Sequence, residues 1–476
     1  MKKARISLFA GCLVAVVAVM NSTAARGDVR VAGVFSDHMV LQCDAKVPVW
    51  GYAEPGETVT VAIAGQTHTA KTNDDRTWSV SLTPLPAGGP FTLSIKGKEN
   101  ALEIKDVLIG EVWLCSGQSN MAWKVARAAN AAEEAAAAKY PKIRMLTVPR
   151  KSAAAPANDV KANWVVCSPE TVGQFSATAY FFGRKLHQEL GVPVGLINSS
   201  VGGTPIEAWT SEAAQKKMAQ APEVQKYLQE HKLSLPAKGA GGLYNAMIHP
   251  LAPYAIRGVI WYQGERNSRF HPYLYRYQLP ALIADWRALW RQGDFPFLFV
   301  QLPNYLKPQS SPSETNGWVL IREAMLKTLA VANTGMAVTI DIGEANNIHP
   351  KNKQDVGLRL ALWALAKTYG KDIVPSGPIY KAMKKQDNKI IVTFDHVGSG
   401  LATRDGKEVR GFAVAGKDRK FVWADARIVG DTIEVSSSKV ADPVAVRYAW
   451  SANPDANLIN KEQLPASPFR TDNWEE

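Results

Sequence analysis

Apolar and polar positions alternate along this chain in two distinct rhythms, and the change between them marks its organisation. Between residues 31 and 105, short runs alternate residue by residue, as in Thr58-Val59-Thr60-Val61-Ala62-Ile63. They are broken by the turn residues Pro55-Gly56, Asn73-Asp74-Asp75 and Ala87-Gly88-Gly89-Pro90. A period of two sends every second side chain to the same face of a strand, so residues 25–105 are predicted to form a small β-sandwich domain. From residue 106 the strands become almost continuously apolar, over residues 107–114, 194–198, 258–262, 297–301 and 336–340. Stretches of helical period over 179–190, 279–290, 318–332 and 354–369 come between or after them. That alternation predicts an α/β domain over 106–372, a five-stranded parallel, doubly wound sheet buried on both faces. Two insertions interrupt it, an Ala/Glu-rich one at 126–139 and a polar one at 211–242. Strand-like runs return at 389–394, 432–435 and 444–450, so 373–476 is predicted to be a second β-rich flanking domain.

The amino end has a different character. Lys2, Lys3 and Arg5 precede an apolar run from 6 to 20, and Ser22-Thr23-Ala24-Ala25 supplies small residues for cleavage. This is the pattern of a secretory signal over residues 1–24, and it places the mature protein in the periplasm or outside the cell. Cys12 faintly resembles a lipoprotein acylation site, but the apolar run continues past it. No later stretch approaches the ~20 apolar residues of a membrane span. The formal net charge is +12, yet the basic residues are scattered without a Lys/Arg block, which argues against nucleic acid as a partner. Cys43, Cys115 and Cys167 remain after the signal, an odd number that leaves one disulfide open and its pairing undetermined. No Cys/His spacing suits a metal, and neither metal nor cofactor is expected. Oligomeric state is left open.

Ligands of a parallel sheet bind beyond the carboxyl ends of its strands, so the residues delivered there are the candidates for chemistry. The first strand delivers Ser119 within Cys115-Ser116-Gly117-Gln118-Ser119-Asn120-Met121, just before a helix. The second delivers the glycine pair Gly202-Gly203, the third Gln263 and Glu265, and the fifth Asp341, followed closely by His349. A serine, a histidine, close-approach glycines and an amide are the parts of an acyl-transfer site. The serine attacks an ester carbonyl, the histidine carries its proton, and fixed donors hold the oxyanion. Ser119 N–H, Gly202 or Gly203 N–H and the Gln263 amide are the candidate oxyanion donors. Each feature alone has an ordinary structural reading, as an N-cap, a turn or a satisfied loop residue. Their joint occurrence on successive strand ends carries the argument.

Met121 stands where a Gly-x-Ser-x-Gly elbow would have its second glycine, so the run is not that of the α/β hydrolases. Four motifs instead resemble the sialate O-acetylesterase family, within the wider SGNH (GDSL-like) hydrolases. They are Gly117-Gln118-Ser119-Asn120-Met121, residues 201–209 with Gly202-Gly203-Thr204-Pro205, Trp261-Tyr262-Gln263-Gly264-Glu265-Arg266-Asn267, and Ile348-His349-Pro350-Lys351-Asn352-Lys353. The opening run 32–42 and the closing stretch 448–470 also resemble family members, so nearly the whole mature chain is covered. The resemblance implies Ser119 as nucleophile, His349 as base, the glycine pair and Gln263 as oxyanion hole, and removal of O-acetyl groups from an acetylated carbohydrate without a metal. Trp123, Trp209, Tyr262, Glu265 and Arg266 are candidate substrate contacts. One position departs from the family pattern. Asn346 and Asn347 precede His349 where an aspartate is common. Three accounts stand open: a Ser–His dyad with a neutral orienter such as Asn347, an acid reaching back from Asp341 or Glu344, or weakened activity. A catalytically weakened sugar-binding protein is the alternative on the same fold, and a lipid or peptide hydrolase a third.

Overall fold

The computed structural model describes residues 28–237 and 239–474. The expected signal segment and Cys12 lie outside the described residues. The spine of the molecule is the strand Ala101–Gly117. Its first half pairs antiparallel with Gly88–Lys96, and its second half runs parallel between Val194–Ser200 and Gly258–Tyr262. Burial follows the same division: from Val107 onward every residue of the strand is buried, whereas the start is half exposed. The expected boundary between residues 105 and 106 therefore falls inside one continuous strand.

The central sheet runs Trp164–Val166, Ile143–Thr147, Val194–Ser200, Ala101–Gly117, Gly258–Tyr262, Phe297–Val300, Thr334–Ala337. The last six are mutually parallel and Trp164–Val166 is antiparallel at the edge. The five-strand expectation is thus corrected to six parallel strands. The missed strand, Ile143–Thr147, follows the Ala-rich insertion and carries a charge. Its Arg144 is buried because it donates to both oxygens of Asp106, at 2.6 and 3.1 Å.

Helices cover both faces, as sheet register demonstrates. Trp261 pairs with Ser116, three positions from Trp113, so the two tryptophans point to opposite faces. Trp113 packs on Phe182 of helix Ala177–Leu190, and Trp261 packs on Trp286 of helix Tyr275–Trp290. Each helix forms where the sequence repeats apolar positions at helical spacing, and Ser176 caps the first by accepting from Ala179 N.

Before the central sheet, a three-stranded sheet (Arg30–Val31, Val47–Tyr52, Thr77–Leu82) buries Val49 and Trp78 in one cluster with Val59, Val61, Leu93 and Ile95 of the neighbouring strands. After it, two four-stranded sheets enclose a separate core that includes Ile390, Val392, Ile433, Val446 and Phe469. This lobe is pinned to the α/β domain by fully buried Arg322, which donates to Ser451 O at 2.7 Å and Ala452 O at 2.9 Å. Cys43, Cys115 and Cys167 are all buried free thiols, so no disulfide forms among them.

Candidate active site

Three adjacent strands of the central sheet deliver the site. Ala101–Gly117 ends in a turn that only glycine permits. Gly117 has φ +136, and a Cβ there would stand 2.1 Å from Tyr262 O. The chain then reverses, with Gln118 N bonded to Tyr262 O at 2.9 Å, and enters the short helix Ser119–Ala122. Ser119 is thereby held at the lip of the sheet. On the neighbouring strand end, Val201 N donates to Gly117 O at 3.1 Å, which brings Gly202 against the serine. A Cβ on Gly202 would stand 3.3 Å from Ser119 Cβ. Among the described residues, the N–H groups of Ser119 and Gly202 have no protein acceptor. Two unspent donors beside a hydroxyl are what a developing oxyanion requires.

His349, 230 positions along the chain, places Nε2 at 2.8 Å from Ser119 Oγ. Its ring lies on Trp123, centroids 5.0 Å apart and planes at 18°. Burial, and then the positive charge of Lys353, lower the proton affinity of the imidazole below its ordinary value. A neutral imidazole at neutral pH is the form able to accept a hydroxyl proton.

None of the sequence candidates reaches His349 Nδ1. Asp341 is bound instead to Arg359, at 2.5 and 2.8 Å, and to Arg404 of the carboxyl-terminal lobe at 2.8 Å. Asn347 Oδ1 accepts from His349 N at 3.0 Å, so it fixes the backbone rather than the ring. Glu344 accepts from Lys351 N and Asn347 Nδ2. Among the described residues Nδ1 has no hydrogen-bond partner, and the broad contact fixing the ring plane is Trp123.

Several other candidates lie in different places from those expected. Gln263 is fully buried, and its amide nitrogen already faces Asn267 Oδ1 at 2.8 Å and both Gln118 Oε1 and Thr204 O at 3.2 Å. Its two N–H groups brace the loops around Ser119 rather than standing free for an oxyanion. Trp209 and Tyr262 are fully buried: Trp209 donates to Thr204 Oγ1 and packs on Trp261, and Tyr262 underlies Lys353. Glu265 is buried as well. None of these three faces a sugar. Trp123 serves the histidine. Gly203 is exposed beside Gly202, with φ +75. Arg266 is exposed, with its guanidinium 4.5 Å from the Phe270 ring centre and no ion-pair partner among the described residues. Arg266 and Phe270 line a cleft of about 380 Å³ together with Pro205, Ala208, Leu228 and Leu235. Its outer wall comes from the polar insertion 211–242, which folds as helices Glu212–Met218 and Pro222–Glu230.

Two residues that sequence reasoning quoted without a role sit directly beneath the pair. Asn120 is fully buried; its Nδ2 donates to Glu265 Oε1 at 2.5 Å and to Ile348 O at 3.0 Å, and its Oδ1 accepts from Lys353 Nζ at 2.6 Å. The available signal was their position inside the motifs, next to Ser119 and four residues after His349.

The fold and the Ser119–His349 pair define a class, an α/β protein with a serine hydroxyl and a histidine ring in hydrogen-bond contact beyond the ends of its parallel strands. The model of the carbohydrate esterase family described as sialic acid-specific acetylesterase matches residues 109–366. Human (Homo sapiens) sialate O-acetylesterase is 34% identical over 490 residues, covering 92% of each chain. The Mus musculus protein of that name is 32% identical, covering 96% of this chain and 97% of its own. A solved carbohydrate acetylesterase from Xanthomonas citri superposes with a TM-score of 0.86 at 41% identity, covering 94% of this chain and all of that one. The chain belongs to the sialic acid-specific acetylesterase family of carbohydrate esterases, and its enzyme class is carbohydrate O-acetylesterase.

Proposed function

We propose that this protein removes O-acetyl groups from sugars outside the cytoplasm, through an acyl-enzyme on Ser119. Ser119 Oγ attacks the acetyl carbonyl while His349 Nε2 takes its proton. The oxyanion is held by the N–H groups of Ser119 and Gly202. His349 then returns the proton to the departing sugar oxygen, and a water deprotonated by the same ring releases acetate. The observation that carries this reading is the 2.8 Å contact of Oγ and Nε2 beside two unspent N–H donors.

The sugar we propose bears a carboxylate, as sialic acid does. Arg266 supports this, because an exposed guanidinium without an anionic partner among the described residues stands in the cleft wall next to the Ser119 turn. Arg266 N itself bonds to Gln118 Oε1 at 3.2 Å, which ties the cleft to that turn. An acetylated plant glycan is neutral and would gain less from the charge. The test is acetate release from O-acetylated sialic acid and from O-acetylated xylan oligomers, for wild type, Ser119→Ala and Arg266→Ala. Ser119→Ala is expected to lose turnover on both. Arg266→Ala is expected to raise KM about tenfold on the sialic acid alone, the size of one charge-assisted hydrogen bond. Full turnover by folded Ser119→Ala would remove the mechanism, and an equal effect of Arg266→Ala on both sugars would remove the substrate assignment.

His349 Nδ1, without a hydrogen-bond partner among the described residues, favours one second reading, a sugar-binding protein with weakened catalysis. Calorimetric binding of acetylated sialic acid by wild type without acetate release would establish it. Export rests on the leader-like residues 1–24, and cell fractionation with amino-terminal sequencing of the mature chain tests it.

A further inference from the structure

Glu265 and Lys353 are an ionisable pair that the chemistry above does not use. Both are buried, Lys353 completely, and neither lines the cleft. They do not touch each other either: the side chain of Asn120 stands between them, with its oxygen on the ammonium and its nitrogen on the carboxylate. That orientation is forced, because an ammonium only donates and a carboxylate only accepts. The second N–H of Asn120 goes to the carbonyl of Ile348, the residue before His349. Lys353 opens the helix Lys353–Trp363, four residues past His349. The nucleophile turn is thus fastened to the chain on both sides of the base by one amide.

We propose that Glu265, Asn120 and Lys353 are positioning residues that set the alignment of His349 on Ser119, where no carboxylate among the described residues meets Nδ1. The inference rests on the Ser119–His349 reading above. Three observations support it. The network is closed over segments 119–120, 262–265 and 348–353, all of which meet at the site. Its burial is otherwise costly, since charges out of water are retained only where partners hold them. Glu265 Oε2 has no partner among the described residues, so Asn120 is the one side chain hydrogen-bonded to the carboxylate there. The groups facing Lys353 are Glu265, Glu344 and His349, with the Tyr262 ring below it, and Arg127 lies over the Trp123 ring. Burial brings Glu265 up and Lys353 down, both to about 7.

The experiment measures kcat and KM on a small aryl acetate across pH for wild type, Asn120→Ala, Lys353→Met, Lys353→Arg and Ser119→Ala, with folding checked by circular dichroism. Asn120→Ala severs both fastenings and is expected to lower kcat about tenfold or more, with KM little changed. Lys353→Met removes the cation that opposes protonation of His349, so the acidic limb of kcat/KM moves to higher pH. Lys353→Arg keeps the cation and keeps the limb near its wild-type position. If the folded Asn120 and Lys353 variants match wild type in kcat and limb while Ser119→Ala is dead, the positioning role is overturned and the serine reading stands. If Ser119→Ala is fully active, the parent reading falls. Should the substitutions prevent folding, the wild-type protein decides through the ring nitrogens of His349 followed by NMR. A His349 ring that holds one tautomer and orientation, and loses it as the Glu265–Lys353 unit changes charge, supports the proposal, and a ring whose tautomer and orientation do not respond to that unit overturns it.

Discussion

Asp341 is the acid that chain position nominates for the histidine, and its surroundings assign it elsewhere. Consider Asp341→Asn. The carboxylate has 6% of its side chain exposed and binds Arg359, itself 9% exposed, through two contacts. It also binds Arg404, 39% exposed, which arrives from the carboxyl-terminal lobe. Breaking a buried ion pair from one side costs about 3–5 kcal/mol, because the remaining charge stays buried. Here part of that is recovered. Arg404 can turn to water, Arg359 keeps Val338 O at 2.8 Å, and the asparagine oxygen retains one acceptor worth about 1 kcal/mol. A net loss of about 2–3 kcal/mol follows. The assay pairs urea unfolding, followed by fluorescence and by activity, with kcat on an aryl acetate at low temperature. The expected result is a lower unfolding midpoint with kcat within about threefold of wild type, since nothing that touches His349 has changed. A carboxylate that orients a catalytic histidine behaves in the opposite way, its amide replacement costing about 10⁴ in kcat. A collapse of kcat with an unchanged midpoint would refute the assignment of Asp341 to the lobe contact.

Two further predictions concern the pair itself. Gly202→Ala places a methyl 3.3 Å from Ser119 Cβ, so the serine must shift by a few tenths of an ångström. A kcat reduced about tenfold with a smaller change in KM is expected, because acyl transfer is sensitive to sub-ångström misplacement; an unchanged kcat would show that the glycine is there for the turn alone. Trp123→Ala admits water to the His349 ring and so raises its depressed proton affinity toward the ordinary value. The base must be neutral to act, so the acidic limb of kcat/KM should move to higher pH, with activity lost mainly below about pH 6.5. A limb that stays in place would mean that the tryptophan does not shield the ring.

Much of this architecture was legible in the chain because burial on both sides of a sheet leaves continuous apolar strands. Ser119, Gly202 and His349 were legible because strand ends are where a parallel sheet exposes chemistry. Ile143–Thr147 was not, since its Arg144 breaks the apolar run and is tolerated only because Asp106 lies across from it. Gln263, Glu265 and Tyr262 are expected to face substrate, but a polar or aromatic residue at a strand end faces either the crevice or the packing beneath it, and one residue of register decides which; Trp209 lies instead in the short helix Ile206–Trp209, turned into the core. Asp341 could not be excluded from spacing alone, because the cation that claims it, Arg404, comes from another lobe. Nothing in the spacing separates Lys353 from a solvated lysine; only its burial beside Asn120 does.

The central claim is that Ser119 carries the acetyl group. Rapid quenching of the enzyme with an aryl acetate, followed by digestion and mass spectrometry of the peptide containing Ser119, tests it most directly. An acetyl adduct on Ser119 that forms and decays at rates consistent with kcat, and that is absent from Ser119→Ala, is the result predicted here. An adduct on a different residue, or steady turnover by a folded Ser119→Ala protein, would contradict it.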